Sequence, residues 1–238
     1  MHRPIRYLLI TGLIAGCLAS STAVPAGAGE PKCFGRRATI FRGDGAGTVT
    51  GTPHDDVIIT EGGDQAINAR GGDDRICAGF GNDTVNGGRG MDLINGESGG
   101  GHQELLQGNA GADLILGGSG RDQMLGGRGD DEVRGEDDND LMYGNGGNDT
   151  LVGGDLHDSI DGGDGDDKVL GGSGNDTNLE GGEGSDEIAG HTGVDQLDAR
   201  DEVAGNDTLD GGEDKDTCEW DKGVETSDEA SNCEIENT

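Results

Sequence analysis

Over most of this chain every ninth residue is an acid. Counting in nines from Gly51, eighteen units start at 51, 60, 69, 78, 87, 99, 108, 117, 126, 135, 144, 153, 162, 171, 181, 190, 202 and 211. Their sixth positions are Asp56, Gln65, Asp74, Asp83, Asp92, Glu104, Asp113, Asp122, Asp131, Asp140, Asp149, Asp158, Asp167, Asp176, Asp186, Asp195, Asp207 and Asp216. Sixteen of the eighteen are Asp, which chance does not produce. Each unit tends to open on Gly and to carry a second Gly at position four, as in Gly144–Val152 (GNGGNDTLV) and Gly162–Leu170 (GGDGDDKVL). A carboxylate beside a glycine-rich turn with open carbonyl oxygens is an all-oxygen donor set. That set suits calcium, which takes about six to eight oxygens and mixes carboxylates with carbonyls, better than magnesium, which wants a tighter octahedron and keeps its water. Transition metals would prefer His or Cys, and the five His (2, 54, 102, 157 and 191) are scattered.

The spacing also says what must hold these acids in place. A fixed short period marks a solenoid. One unit reads as a turn followed by a strand of three residues. Glycines at positions one and four permit the positive φ that a tight turn needs. Alternation along the strand then sends position eight inward and positions seven and nine outward. Position eight is apolar almost throughout, for example Ile58, Ile76, Val85, Ile94, Ile115, Val133, Leu151, Ile160, Val169 and Ile188. On this reading position eight alone builds the core. Two units close one coil, so eighteen give roughly nine coils and about 43 Å of stacked parallel strands. Stacking sets the Asp of one unit over the Asp two units on. At about 4.8 Å and an effective dielectric of 20 each such pair repels by about 3 kcal/mol. Calcium between the coils would turn that repulsion into attraction, so that binding energy becomes folding energy. The frame slips by three residues at Gly96–Ser98, by one near Asn178 and by three at Ala199–Asp201.

Residues 51–219 resemble the RTX, or haemolysin-type, calcium-binding repeat family, and Gly126–Arg134 (GGRGDDEVR) matches its nonapeptide throughout. The resemblance implies an all-β, right-handed parallel β-roll (a β-solenoid) with several Ca2+ ions in its turns. The metal ligands it implies are Asp74, Asp83, Asp92, Asp113, Asp122, Asp131, Asp140, Asp149, Asp158, Asp167, Asp176, Asp186, Asp195 and Asp207. Gln65 and Glu104 depart from the Asp, and His102, Asp138, Leu156 and Asp214 depart from the second Gly. Interruptions of the ion row are expected at those units and at the frame slips.

The rest of the chain fits an exported module. Of 238 residues 51 are Gly, and only 3% are aromatic. That composition disfavours an ordinary globular core. The formal charge of −33 would otherwise suit a disordered chain, and it repels nucleic acid and anionic membranes. Residues 1–28 read as a secretory signal peptide: Arg3 and Arg6, an apolar Tyr7–Gly16, and a small-x-small site at Ala26–Ala28. The apolar core is too short to span a membrane. Ile14–Cys17 offers an alternative, a lipobox leaving a lipid anchor on Cys17. Residues 29–50 form an N-terminal cap in which Ala38–Phe41 is a covering strand, and 220–238 an acidic C-terminal cap or tail with Trp220 over the last coil. Cys33, Cys77, Cys218 and Cys233 remain after the leader, two near each end, and export implies an oxidising compartment. Cys33–Cys77 and Cys218–Cys233 pairing would fasten the ends.

No catalytic role emerges. Gly96–Gly100 (GESGG) matches a nucleophile pattern that needs a strand–turn–helix setting and a His partner, but it falls on a frame slip. An H-E-x-x-H run is absent. The expected function is a calcium-stabilised surface, spacer or interaction module. The alternative is an adhesin or ice- or mineral-binding protein working through its outer face. A β-solenoid enzyme would need Asp clustered with Lys or Arg, and only 16 Lys and Arg occur, thinly spread.

Overall fold

A computed structural model describes residues 32–200, 207–219 and 229–235, with the side chains of 98–101, 229, 230 and 235 left aside. The leader, Cys17 and Trp220 lie outside the described residues. Among those described there is no helix. Two parallel sheets of 11 strands each face one another, and the chain alternates between them, so every strand pairs with the strand two places on. Successive partners such as Leu106, Met124, Met142 and Ile160 stand one above the next. The eighteen-residue coil read from the repeat is therefore the coil that forms.

The two position-eight columns meet in a continuous apolar core. Ile76, Ile94, Ile115, Val133, Leu151 and Val169 come from one sheet, and Val85, Leu106, Met124, Met142, Ile160 and Leu179 from the other, all at 0% exposure. Three expectations are corrected. First, the strands run six residues, not three: Gln123–Arg128 and Ser159–Asp164 start at position seven and continue through position three of the next unit. Second, position one does not supply the positive φ. Positions two and four do, as at Gly127 (φ 125°) and Gly129 (φ 119°). Position one needs Gly for closeness: a Cβ on Gly126 would lie 2.5 Å from the Asp131 carboxylate and 3.0 Å from the Gly144 carbonyl. Third, position eight is not alone inside. Position six is buried just as deeply, so each unit turns a carboxylate inward as well as an aliphatic side chain.

The insertions also settle differently from the frame read in sequence. Gly96 and Ala199 are buried at position one of their units, and the extra residues after Gly96 are taken up as register shifts within the strand Leu93–His102. Asn178 forms a bulge with φ 57°, after which Leu179 regains its place opposite Ile160. Asp138, Leu156 and Asp214 adopt φ of 78°, 77° and 85° where Gly was expected, so the turn shape survives these departures.

The sheets begin at Ile40 rather than Gly51. Ile40–Arg42 and Gly47–Thr50 form a coil of their own, paired to Val57–Thr60 and Gln65–Asn68. Residues 40–42 thus extend the roll, with Ile40 packed on the end of the apolar core. The hairpin of Lys32–Cys33 and Arg36–Arg37 lies on the outer face of this end. Phe34, Ala38 and Phe41 pack there on Val57 and Ile59, the outward residues of the next strand, beside the Cys33–Cys77 disulfide. At the other end Glu229–Ser231 and Cys233–Ile235 add a further coil, tied by Cys218–Cys233. The nine coils counted in the repeat, with one more at each end, account for 11 strands in each sheet.

Candidate metal-binding edges

Each sheet-to-sheet turn carries its position-six carboxylate into the roll, and stacking lines these up along the two edges. One column is Asp56, Asp74, Asp92, Asp113, Asp131, Asp149, Asp167, Asp186 and Asp207. The other is Gln65, Asp83, Glu104, Asp122, Asp140, Asp158, Asp176, Asp195 and Asp216. Every one of these is at most 6% exposed. Within a column the contacts repeat. The backbone N–H of Asp113 donates to Oδ1 of Asp131 at 2.7 Å, that of Asp131 to Asp149 at 2.7 Å, and that of Asp149 to Asp167 at 2.7 Å. Opposite, Asp122 donates to Asp140 at 2.9 Å and Asp140 to Asp158 at 2.8 Å. One oxygen of each acid is thereby used as a strap between coils.

The second oxygen is not. Oδ2 of Asp74, Asp83, Asp92, Asp113, Asp122, Asp131, Asp140, Asp149, Asp158, Asp167, Asp176, Asp195 and Asp216 is buried without a hydrogen-bond partner. An unpartnered buried carboxylate oxygen is costly, and here it recurs coil after coil. The Oδ2 atoms of Asp92, Asp113, Asp122, Asp131, Asp140, Asp149, Asp158, Asp167, Asp176 and Asp195 share a position-one glycine's open face with the carbonyl of the position-one glycine one coil further on, and that of Asp216 does so with the Asn232 carbonyl. A Cβ built on Gly117 would lie 2.9 Å from Asp122 Oδ2 and 2.8 Å from the Gly135 carbonyl oxygen, so both oxygens approach the open face of that glycine. Convergent anionic and carbonyl oxygens with no N–H or O–H between them are a cation cradle. Among the described residues no three His, Cys, Asp or Glu side chains gather together. A cation held here would therefore draw most of its oxygens from the backbone, a donor set that fits calcium and not zinc.

Electrostatics agree. Burial pushes the carboxyl of Asp131 up to about 7. The N–H of Asp113 pulls it back, and the neighbouring Asp113, Asp149 and Asp130 push it further up. The same causes, burial first, bring Asp92, Asp158 and Asp167 to about 7 and Asp140 to about 8. Asp74, Asp83, Asp113, Asp149 and Asp176 are raised to about 6, and Asp195 is raised as well. These columns accept a cation or a proton in place of bare charge.

Of the acids expected as ligands from sequence, Asp74 through Asp176 and Asp195 share this geometry. Asp186 and Asp207 stand in the same column, with Asp186 donating its N–H to Asp207 Oδ1 at 2.8 Å. In the units of Asp138 and Leu156, Asp140 and Asp158 keep the same hydrogen bond and the same unpartnered Oδ2. Asp216, not among the expected ligands, has it too.

A second strap went unread in the sequence. Position-five side chains accept N–H groups from the coil beyond. Asp55 accepts from Asp73 at 2.9 Å, Asp130 from Asn148 at 2.9 Å, and Asn148 from Asp166 at 3.1 Å. The recurring Asp-Asp and Asn-Asp pairs at positions five and six carried that signal.

The family model of the RTX calcium-binding nonapeptide repeat matches residues 41–76, 50–85, 68–102, 98–133, 117–151, 125–159, 143–177, 178–201 and 204–219. No curated protein and no solved structure matches the chain. Repeat, roll and match cover the same span, and the chain belongs to the RTX calcium-binding nonapeptide-repeat family.

Proposed function

We propose that this protein is an exported module whose two turn edges bind several calcium ions, that the ions drive its folding, and that the folded roll serves as a surface, spacer or interaction element. The position-six Asp residues from Asp74 to Asp216 would supply one carboxylate oxygen each, and position-one carbonyls the next oxygens. The single observation that supports this most is the repeated Oδ2, buried, unpartnered and facing the carbonyl of the next coil. A cation supplies at each turn the positive partner that is otherwise missing, so ion binding and stacking are one event. The apolar core runs only one side chain wide per strand and cannot by itself hold the many ordered turn residues.

Export is inferred from the leader-like residues 1–28, with lipidation at Cys17 as the alternative, and from two disulfides, which persist in oxidising compartments. The reading calls on no catalytic group. Nucleic acid is disfavoured as a partner by the charge of −33. No helix among the described residues is long and apolar enough to cross a membrane.

The test is circular dichroism during a calcium titration of the disulfide-intact chain, with magnesium in parallel. Strand signal should rise cooperatively with calcium and little with magnesium. A chelated chain that already shows the full strand signal and the same melting temperature refutes the reading. Alanine at outward positions seven and nine would separate an adhesin or mineral-binding role: partner binding would fall with calcium affinity unchanged.

A further inference from the structure

The first two turns of the counted repeat, those of Asp56 and Gln65, do not fit the ion that the later turns fit. In the first, Asp56 has no spare oxygen. Its Oδ2 accepts the backbone N–H of Thr52 at 2.7 Å and the Thr52 hydroxyl at 2.9 Å, while Oδ1 accepts the Thr39 hydroxyl at 3.3 Å. In the second, position six is Gln65. Its side-chain N–H2 donates to the carbonyls of Gly62 at 2.8 Å and Gly45 at 3.1 Å, bridging two successive turns. Position one of that unit is Thr60, whose hydroxyl donates to the Ala78 carbonyl. This is the position-one carbonyl that elsewhere faces an unpartnered Asp oxygen. The first turn is closed by N–H and O–H groups of the chain itself; in the second the Gln65 N–H2 donates to the carbonyls, and what stays buried without a partner is a neutral amide Oε1, not a carboxylate oxygen.

The same end is also held in ways the rest of the roll is not. Val57–Thr60 is buried on both faces, whereas Gln123–Arg128 and its like alternate between buried and half-exposed. Phe34 of the hairpin, Phe41 of the neighbouring strand and the Cys33–Cys77 bond cover its outer side. Charge is nearly balanced: residues 32–68 hold Lys32, Arg36, Arg37 and Arg42 against Asp44, Asp55, Asp56, Glu61 and Asp64, a net −1 in a chain of −33. The repulsion that opposes stacking further along is missing here.

We infer that residues 39–68, with the hairpin and disulfide over them, are a metal-independent nucleus that stays folded without calcium and templates the ion-driven stacking of the coils that follow. This rests on the calcium reading for the later turns. Its distinct content is that Gln65, Thr52 and Thr60 do in protein atoms what the ion does elsewhere. The free edges of the second coil, Val57–Thr60 in one sheet and Gln65–Asn68 in the other, then offer a ready ladder to the next strands, so the costly first coil need not be nucleated by calcium.

Hydrogen exchange read by mass spectrometry on the full, disulfide-intact chain tests this in chelator and in millimolar calcium. In chelator, amides of 47–50 and 57–68 should exchange at least ~100-fold more slowly than those of 105–198, which gain protection only with calcium. Equal, fast exchange everywhere in chelator overturns the nucleus and leaves the calcium reading standing. Equal, slow exchange everywhere in chelator overturns the calcium reading and the nucleus with it. Two variants locate the cause. Gln65→Asp should abolish the chelator-state protection of 57–68, restore it with calcium, and raise the bound-calcium count in native mass spectrometry. Thr52→Ala, which removes the hydroxyl from Asp56 Oδ2 and leaves only the backbone N–H on it, should shift the same segments toward calcium dependence. Unchanged protection in chelator for both variants would refute the role of these side chains.

Discussion

Stripped of calcium, this protein should be rescued by acid, the reverse of ordinary acid denaturation. The perturbation is a chelator at about pH 8, followed by a drop to about pH 5. Folding raises the buried carboxyls from 3.8 to between about 6 and about 8. A group raised by folding lends its full stability below the unfolded value and loses it as pH climbs through the folded one. For Asp131, at about 7, the fall from pH 8 to pH 5 regains about two units, or roughly 3 kcal/mol at 1.4 kcal/mol per unit. Asp92, Asp158 and Asp167 behave alike. The groups within a column share protons, so their effects do not add in full. Even a fraction of them matches the roughly 5–15 kcal/mol that separates folded from unfolded domains. Far-UV circular dichroism with small-angle scattering at micromolar concentration is the assay. Expanded coil at pH 8, compact strand at pH 5, and compact strand at pH 8 once calcium is restored is the expected series. A chelated chain that is compact at pH 8, or one that is no more compact at pH 5 than at pH 8, means that buried charge is not what opposes folding.

Three substitutions probe the same physics from other sides. Asp149→Asn keeps an oxygen for the N–H of Asp131 but removes the charge; calcium affinity at that turn should fall at least tenfold by calorimetry, while the chelated chain at pH 8 should gain roughly 2 kcal/mol of stability. Gly126→Ala places a Cβ 2.5 Å from the Asp131 oxygen and 3.0 Å from the Gly144 carbonyl, which should cost roughly 1–3 kcal/mol in a calcium-loaded melt and lower the bound-calcium count. Met142→Ala empties a fully buried place in the apolar column and should cost roughly 2–5 kcal/mol in calcium, with the ion count unchanged, because no metal-facing atom is touched.

What sequence alone determined about this protein is its period and therefore its stacking. An Asp at every sixth place and an aliphatic residue at every eighth can be kept in line only by a coil of two nines, and the pairing of Ile115 with Val133 and of Met124 with Met142 follows that count. The cysteine positions near the two ends likewise anticipated Cys33–Cys77 and Cys218–Cys233. What only the tertiary structure decided is which way each acid faces and what meets it. Alternation counted along one strand places position six relative to position eight, yet how far a carboxylate sinks depends on the coil above, which supplies the N–H to its Oδ1, and on the coil below, whose glycine carbonyl faces its Oδ2. For the same reason Asp56 and Asp131 look alike in the repeat and differ in the fold. Thr39 and Thr52 surround the one, and only a carbonyl and a neighbour's N–H meet the other. Distance along the chain carries the period, but the partners that satisfy a buried charge come from other coils, and only folding brings them there.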